Sequence, residues 1–394
     1  MEISSRYLKT SIEADAFAKH KITFISGPRQ VGKTTLARSL LTASANYFSY
    51  DDEGFRRAWS KNPAKALSTR STGPLVLDEI HKDRMWKRKL KGLFDQDPNA
   101  GPYVVTGSAR LETYRRGSDS LLGRYLPYRL HPLTVGERAV SPGPDNLFDR
   151  AGSSLCSVDD LLKLGGFPEP LLAGNENEAI RWSRLRLERL VYEDTRDLLG
   201  ISDLTAFRVL IDLLPERVGS PLSINALHED VGKAYATVRA WYQVLESLFY
   251  CITIRPYSKR INRAIRAEPK MYLFDPLRIP REAYGKRLEN LTALHLLKAV
   301  NYWTDSAQGE FSLHFVRDKS RREVDFLLVR DGHPWMLIEC KSGTKSPDSS
   351  LEYFARVLKP LHRIQLVSDQ GYDRVFAEEN IRIMGYDKFF SFLP

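Results

Sequence analysis

Residues 27–34 read Gly-Pro-Arg-Gln-Val-Gly-Lys-Thr, a G-x-x-x-x-G-K-[ST] pattern. Glycines let such a loop close around a phosphate with its N–H groups pointing inward, and the helix that follows adds partial positive charge. Lys33 then reaches the β- and γ-phosphates, and Thr34 ligates Mg²⁺. The pattern predicts an ATP and Mg²⁺ site built from Gly27, Pro28, Arg29, Gln30, Val31, Gly32, Lys33, Thr34 and Thr35. A second run, "PLVLDEI", ends in Asp78 and Glu79. A carboxylate at a strand end holds Mg²⁺ through water, and the next one polarises the attacking water as general base. Two adjacent carboxylates suit hydrolysis better than phosphorylation of a bound small molecule, which an activated water would undercut; the bland alternative is an acidic strand end or helix cap. "YVVTGSA" puts Thr106 and Ser108 at another strand end, where a hydroxyl senses the γ-phosphate or simply makes a turn. Arg124 is the expected charge stabiliser supplied to a neighbouring subunit, with Arg110, Arg115 and Arg116 competing.

Two further sets of charged residues lie beyond the nucleotide motif. Asp325, Glu339 and Lys341 form a D…E-x-K set, and Glu289 on the preceding helix completes it. Residues two apart on a strand share a face, so Glu339 and Lys341 point the same way. Asp325 and Glu339 are expected to bind Mg²⁺, and Lys341 to orient or deprotonate a water beside a scissile phosphate. The set resembles the PD-(D/E)xK nuclease core; a hairpin that keeps the fold without cutting is the alternative. Tyr302, Trp303, Arg317, Arg321 and Arg322 are expected to border it and touch nucleic acid. Cys340 is expected on the hidden face of its strand. The other set is "RPYSKRINRAIRAEPK", with Arg255, Lys259, Arg260, Arg263, Arg266 and Lys270 against Glu268. Such density on a loop tracks a DNA phosphate backbone or stays solvated.

The elements that must position these groups follow from pattern. Residues 1–140 alternate apolar strands with helices, as a parallel α/β sheet does. Ligands in such sheets bind beyond the carboxyl ends of the strands, where Asp78 and Thr106 fall. "RLHPLTVGE" is expected to close this unit, and the Pro/Gly/Ser-rich 141–155 to be a linker. Helices dominate to about residue 250, with "GGFPEPLL" as punctuation. "SINALHEDVGKAYATVRAWYQVLESLFY" reads as two helices joined at Gly232, the second apolar at Val238, Trp241, Tyr242, Leu245 and Leu248, a helix-turn-helix layout. Strands and helices alternate again from about residue 287. At 394 residues the chain exceeds a single core, and its net charge of +10 suggests a polyanionic partner. No apolar run reaches the ~18 residues of a membrane helix and no signal core opens the chain. Three widely spaced cysteines fit a reducing cytoplasm rather than a disulfide frame or zinc cluster.

"FISGPRQVGKTTLA", "YDDEG", "LVLDEIHK", "VVTGSARL" and "SLLGRYLPYRLHPLTVGE", followed by "GGFPEPLL", "MYLFDPLR", "LENLTALHLL" and "REVDFLL…IECKSG", resemble in order the bacterial and archaeal AAA-class ATPases with a C-terminal domain of uncharacterised function. The resemblance implies a P-loop AAA-type parallel-sheet domain over 1–140, a helical and winged-helix-like domain over 155–280, and a restriction-endonuclease-like α/β domain over 281–394. The expected function is an ATP-hydrolysing translocase or remodeller of duplex or branched DNA. It would be ring-like and homo-oligomeric, because an arginine supplied in trans leaves no subunit able to finish its own site. The alternative is an ATP-dependent switch that binds a protein partner and carries an inert nuclease-like domain.

Overall fold

Short runs of Ile, Val, Leu and Tyr with polar ends become the strands of the first unit. In the computed structural model of the chain, the structure describes residues 6–97, 101–107, 121–138, 140–149, 152–194, 201, 203–258, 268–343 and 345–394. The N-terminal unit runs to Pro132 and takes back Arg138–Val140. Its strands β1 (Ile22–Ser26), β2 (Tyr47–Ser49), β3 (Leu75–Asp78), β4 (Tyr103–Thr106) and β5 (Tyr125–Arg129) lie in the order β2-β3-β4-β1-β5, every pair parallel. β1, β3 and β4 are buried at every position, as strands covered on both faces are. Trp59 of helix α2 (Glu53–Lys61) and Trp86 and Leu90 of α3 (Trp86–Gln96) join the cluster on this sheet, together with Phe24 and Val105. Helix α1 (Lys33–Ser39) follows the β1 loop. Register sets Ser49 opposite Asp78 and Asp78 opposite Thr106, so three polar residues line one carboxyl edge.

The second unit holds Leu133–Glu137 and Ser141–Pro394. Its sheet has eight strands: β6 (Cys251–Pro256), β7 (Lys270–Leu273), β8 (Phe311–Arg317), β9 (Glu323–Arg330), β10 (His333–Cys340), β11 (His362–Val367), β12 (Asp373–Phe376) and β13 (Ile381–Gly385). They are ordered β12-β13-β11-β10-β9-β8-β6-β7, so the β6–β7 hairpin continues the sheet that carries the D…E-x-K set. Helices α4 (Ile224–Val231) and α5 (Tyr235–Ser247) flank Gly232, whose left-handed φ of 67° ends α4. Val238, Trp241, Tyr242 and Leu245 are the buried stripe of α5. Helix α6 (Tyr284–Asp305) is buried on most of its surface, and α7 (Ser349–Leu358) packs Leu351, Phe354 and Ala355 on a cluster with Leu327 and Leu337. Among the described residues no helix is long and apolar enough to cross a membrane.

Several expectations change. "RLHPLTVGE" does not close the first unit as a whole. The Leu130 N–H bonds Ser26 O at 2.8 Å, but Leu133 bonds Gly166 O at 2.7 Å and Thr134 Oγ1 donates to Pro394 O at 2.9 Å inside the second unit. Residues 141–155 are no linker either. Pro142 O accepts from the buried Trp303 Nε1 at 3.1 Å, Asp145 pairs with Arg330 at 2.5 Å, and Leu155 N–H bonds Val135 O at 2.7 Å. Turn-forming composition here belongs to irregular chain that is packed. "GGFPEPLL" contributes a short helix, Pro168–Ala173, with proline at its first turn. β12, β13 and the last helix, α8 (Tyr386–Ser391), were not anticipated.

Candidate active site

The loop after β1 is shaped by three residues with left-handed φ: Gly27 (151°), Gln30 (62°) and Gly32 (96°). At Gly27 a Cβ would stand 2.2 Å from Leu130 O, so no side chain fits. Gly27→Ala should therefore push the loop off the end of β5. We expect a loss of about 1–3 kcal/mol with weakened nucleotide binding, read by thermal unfolding and by titration with a fluorescent ATP analogue. Lys33 is buried, and its Nζ donates to Gly27 O at 3.0 Å and Pro28 O at 2.7 Å, which keeps the ammonium inside the curl of the loop.

Asp78, at the end of β3, gathers the neighbouring hydroxyls. Its Oδ2 accepts from Thr34 Oγ1 at 3.0 Å and from the Tyr47 hydroxyl at 2.5 Å, and its Oδ1 accepts from Thr106 Oγ1. A threonine hydroxyl and a carboxylate meeting beside a phosphate-shaped loop are the oxygen set that suits Mg²⁺. Glu79 follows in a left-handed conformation (φ 55°, ψ 20°), its N–H held by Thr106 O at 3.2 Å. Burial raises its carboxyl above the usual range despite Lys82 and Lys33. Lys82 Nζ lies 3.6 Å from Glu79 Oε2 and 2.5 Å from Asp51, and His81 Nε2 lies 3.7 Å from Glu79 Oε2.

Three residues of this site escaped the sequence reading. Tyr47 bonds Asp78, and Arg38 stacks over the Tyr47 ring at 4.1 Å. Arg6 is buried and bonds Val31 O at 2.7 Å and His131 O at 2.5 Å, tying the loop to the chain beyond β5. Tyr47 opens β2 rather than ending it, so strand-end topology does not flag it, and nothing local points to Arg6. Arg124 makes a two-pronged bond to Asp95, Nε to Oδ1 at 2.7 Å and Nη2 to Oδ2 at 3.2 Å. Ser108, Arg110, Arg115 and Arg116 lie outside the described residues.

The D…E-x-K set assembles in the second unit. Lys341 Nζ lies 2.8 Å from Glu339 Oε1 and 2.9 Å from Asp348 Oδ2, so Glu339 and Lys341 do share a side. Asp325 N–H reaches Glu339 Oε2 at 3.3 Å, and Cys340 N–H donates to Asp325 Oδ2 at 3.0 Å. The Tyr272 hydroxyl donates to Glu289 Oε1 at 2.7 Å. Burial, then the Asp325 charge, push both Glu289 and Glu339 upward. Cys340 turns its Sγ toward Thr292 at 3.6 Å.

The surroundings of this set depart from expectation in two ways. Tyr302 and Trp303 do not border it as nucleic-acid contacts; they are 5% and 0% exposed, in the core. Lys270 is not part of an exposed basic loop. It is 1% exposed, and its Nζ sits 3.1 Å from Glu289 Oε1, 2.8 Å from Glu323 Oε1 and 3.3 Å from Asp325 Oδ1. Burial would lower its pKa, but the three carboxylates together outweigh burial and raise it. Among the described residues no group of three or more His, Cys, Asp or Glu is disposed to hold a metal ion. Of the basic stretch, Arg255 lies on β6 with its side chain exposed; Lys259, Arg260, Arg263 and Arg266 lie outside the described residues.

Residues 19–139 match the family model of an AAA domain, 157–276 a domain of unknown function (DUF8612), and 284–389 a second domain of unknown function (DUF4143). An uncharacterised protein of Mycobacterium tuberculosis is 25% identical over 370 residues, 89% of this chain and 79% of that protein. One from Methanocaldococcus jannaschii is 25% identical over 389 residues, 86% and 79%. Among solved structures, the RuvB Holliday junction branch migration motor of Thermotoga maritima overlaps 66% of this chain and 93% of its own, with 17% identity and a TM-score of 0.31. The Aeropyrum pernix ORC1 protein in complex with DNA overlaps 73% and 92%, with 15% identity and a TM-score of 0.30. With TM-scores this low, neither overlap bears on function. The family match, the parallel sheet and the loop geometry agree: the N-terminal unit is an AAA-type ATPase domain.

Proposed function

We propose that this chain is an ATP-driven protein acting on DNA, a homo-oligomeric translocase or remodeller of duplex or branched DNA. The observation that carries the reading is an exposed polar face beside the helix pair in a chain of net charge +10. Tyr235, Arg239 and Gln243 recur every four residues along α5 and are exposed. With Asn225, Arg255 and Glu268 they line a groove of about 540 Å³ between the helix pair and the β6–β7 hairpin. Aromatic, amide and guanidinium groups on one helix face, next to a basic hairpin, are the parts of a winged-helix DNA contact. Lys259, Arg260, Arg263 and Arg266 fall between the hairpin strands in sequence and add charge for phosphates.

In the ATPase unit, residues 27–35 hold the phosphates, and Thr34 and Asp78 are the residues that would hold Mg²⁺. Bound Mg²⁺ supplies neutralisation of the charge shared by the β- and γ-oxygens. Tyr47 and Thr106 fix the rotamer of Asp78 by the hydrogen bonds described above. Glu79 accepts a proton from the attacking water, and its burial keeps it a stronger base than an exposed glutamate. Lys33 balances charge on the transferred phosphoryl group. Ser108 stands two residues beyond Thr106 as the γ-phosphate sensor. Arg124 acts on the neighbouring subunit's nucleotide, and doing so requires it to leave Asp95. Residues 1–140 would turn over ATP, 155–280 contact DNA, and 281–394 support that contact.

ATP turnover measured alone and with duplex, single-stranded or four-way-junction DNA tests the reading. We expect at least one DNA to raise the rate, with affinity that falls steeply as salt rises. A rate indifferent to all three, with no binding at low salt, would leave the protein-partner switch as the function.

A further inference from the structure

The carboxylates of the second centre are already served by a cation that the chain provides. An ammonium group has three donors and no acceptor. Lys270 Nζ meets three carboxylate oxygens, from Glu289, Glu323 and Asp325, at 2.8–3.3 Å. Three donors thus meet three acceptors at hydrogen-bond length, whereas Mg²⁺ demands oxygens at ~2.1 Å in near-octahedral array. Three further carboxylate oxygens have partners too. Asp325 Oδ2 accepts from the Cys340 N–H, Glu339 Oε2 from the Asp325 N–H, and Glu339 Oε1 faces Lys341 Nζ at 2.8 Å. Lys270 cannot drift away as a loop residue would. Its backbone pairs with Ile254 on β6 and bridges Pro221, and its side chain is almost wholly enclosed.

We propose that Lys270 is the resident cation of this centre. The second unit is then metal-independent and does not cut nucleic acid. The same lysine ties β7, the strand that follows the basic stretch, to α6 and β9 through Glu289, Glu323 and Asp325. The centre serves as an ionic clasp on the hairpin rather than as a hydrolytic site. This inference does not depend on the DNA reading above.

The test is Mn²⁺ binding to the nucleotide-free full chain, followed by the paramagnetic resonance of free Mn²⁺, with plasmid nicking in Mg²⁺ alongside. Wild type and Asp325→Asn should bind the same amount of Mn²⁺, and neither should nick. Lys270→Met should gain about one Mn²⁺ per chain, because three freed carboxylates then offer oxygen ligands. The double variant Lys270→Met with Asp325→Asn should lose that ion. A wild-type ion that Asp325→Asn removes, or wild-type nicking that it abolishes, would overturn the proposal, as would a folded Lys270→Met chain that gains no Mn²⁺. Should Lys270→Met fail to fold, the comparison of wild type with Asp325→Asn still decides. No readout involves ATP turnover or its response to DNA, so this proposal and the DNA reading fail separately.

Discussion

Replacing Glu79 by glutamine is expected to leave ATP bound and to cut steady-state hydrolysis by about 10²–10⁴-fold. The two halves of the result come from different atoms. Binding rests on the loop from Gly27 to Thr34, on Lys33 and on the Thr34–Asp78 pair, none of which Glu79 holds in place. Hydrolysis needs a base at the carboxyl edge of the sheet, and a neutral amide of the same shape cannot take the proton. Glutamine also keeps what glutamate does structurally. The backbone stays at φ 55° with its N–H on Thr106 O, and the side chain remains beside Lys82 and His81. A fall of that size corresponds to about 3–5 kcal/mol of transition-state stabilisation. Retained affinity for a fluorescent ATP analogue, with phosphate release near background, is the expected pair of measurements. Turnover at the wild-type rate would move the base to another residue.

Much of the first unit was legible because buried parallel strands advertise themselves. Each is a run of apolar residues too short for a helix, and each ends in a polar group that topology carries to the ligand edge, as Asp78 and Thr106 show. The loop was legible because a glycine with a left-handed φ and no room for a Cβ leaves no other residue type possible. What stayed hidden was decided by partners far along the chain. Arg6 bonds residues 25 and 125 positions away, and no local pattern encodes that. Lys270 shares its sequence neighbourhood with five other cations and reads as one more solvated charge. It is buried because Glu289, Glu323 and Asp325 arrive from a helix and a strand 19 to 55 residues on. Residues 141–155 look like a linker by composition, yet Pro142 and Asp145 are held by Trp303 and Arg330. Composition reports local stiffness, and packing answers to the whole chain.

Lys298→Met should destabilise the second unit by about 3–5 kcal/mol, far more than the lost packing of one side chain would. Lys298 and Glu137 are 0% and 1% exposed at the side chain and form an ion pair. Lys298 Nζ also donates to Thr134 Oγ1 at 2.7 Å, and that hydroxyl donates onward to Pro394 O at 2.9 Å. Removing the lysine alone takes away the cation that balances the charge of the buried Glu137 carboxylate. Methionine keeps most of the volume, so the loss measures charge and not a cavity. The companion variant, Lys298→Met with Glu137→Met, removes both charges and should recover most of the loss, since a buried pair replaced by apolar groups of similar size is often neutral. Urea unfolding followed by far-UV circular dichroism gives the three stabilities. The same region predicts a pH dependence. Burial, eased by the bond to Leu291 O and aided by Lys298, lowers His295 to about 3. Its Nε2 accepts from the Val135 N–H at 3.2 Å, so the proton sits on Nδ1 facing Leu291 O at 2.8 Å and the ring is neutral when folded. The unfolded chain protonates this ring near pH 6.5, so below that pH it binds more protons than the folded one. Stability from His295 is therefore full above about pH 6.5 and falls steadily as pH drops toward 3. His295→Gln should flatten that slope. An unchanged slope in this variant would show that another group sets it, and a single Lys298→Met chain as stable as the double would show that the buried Glu137 charge is tolerated without its partner.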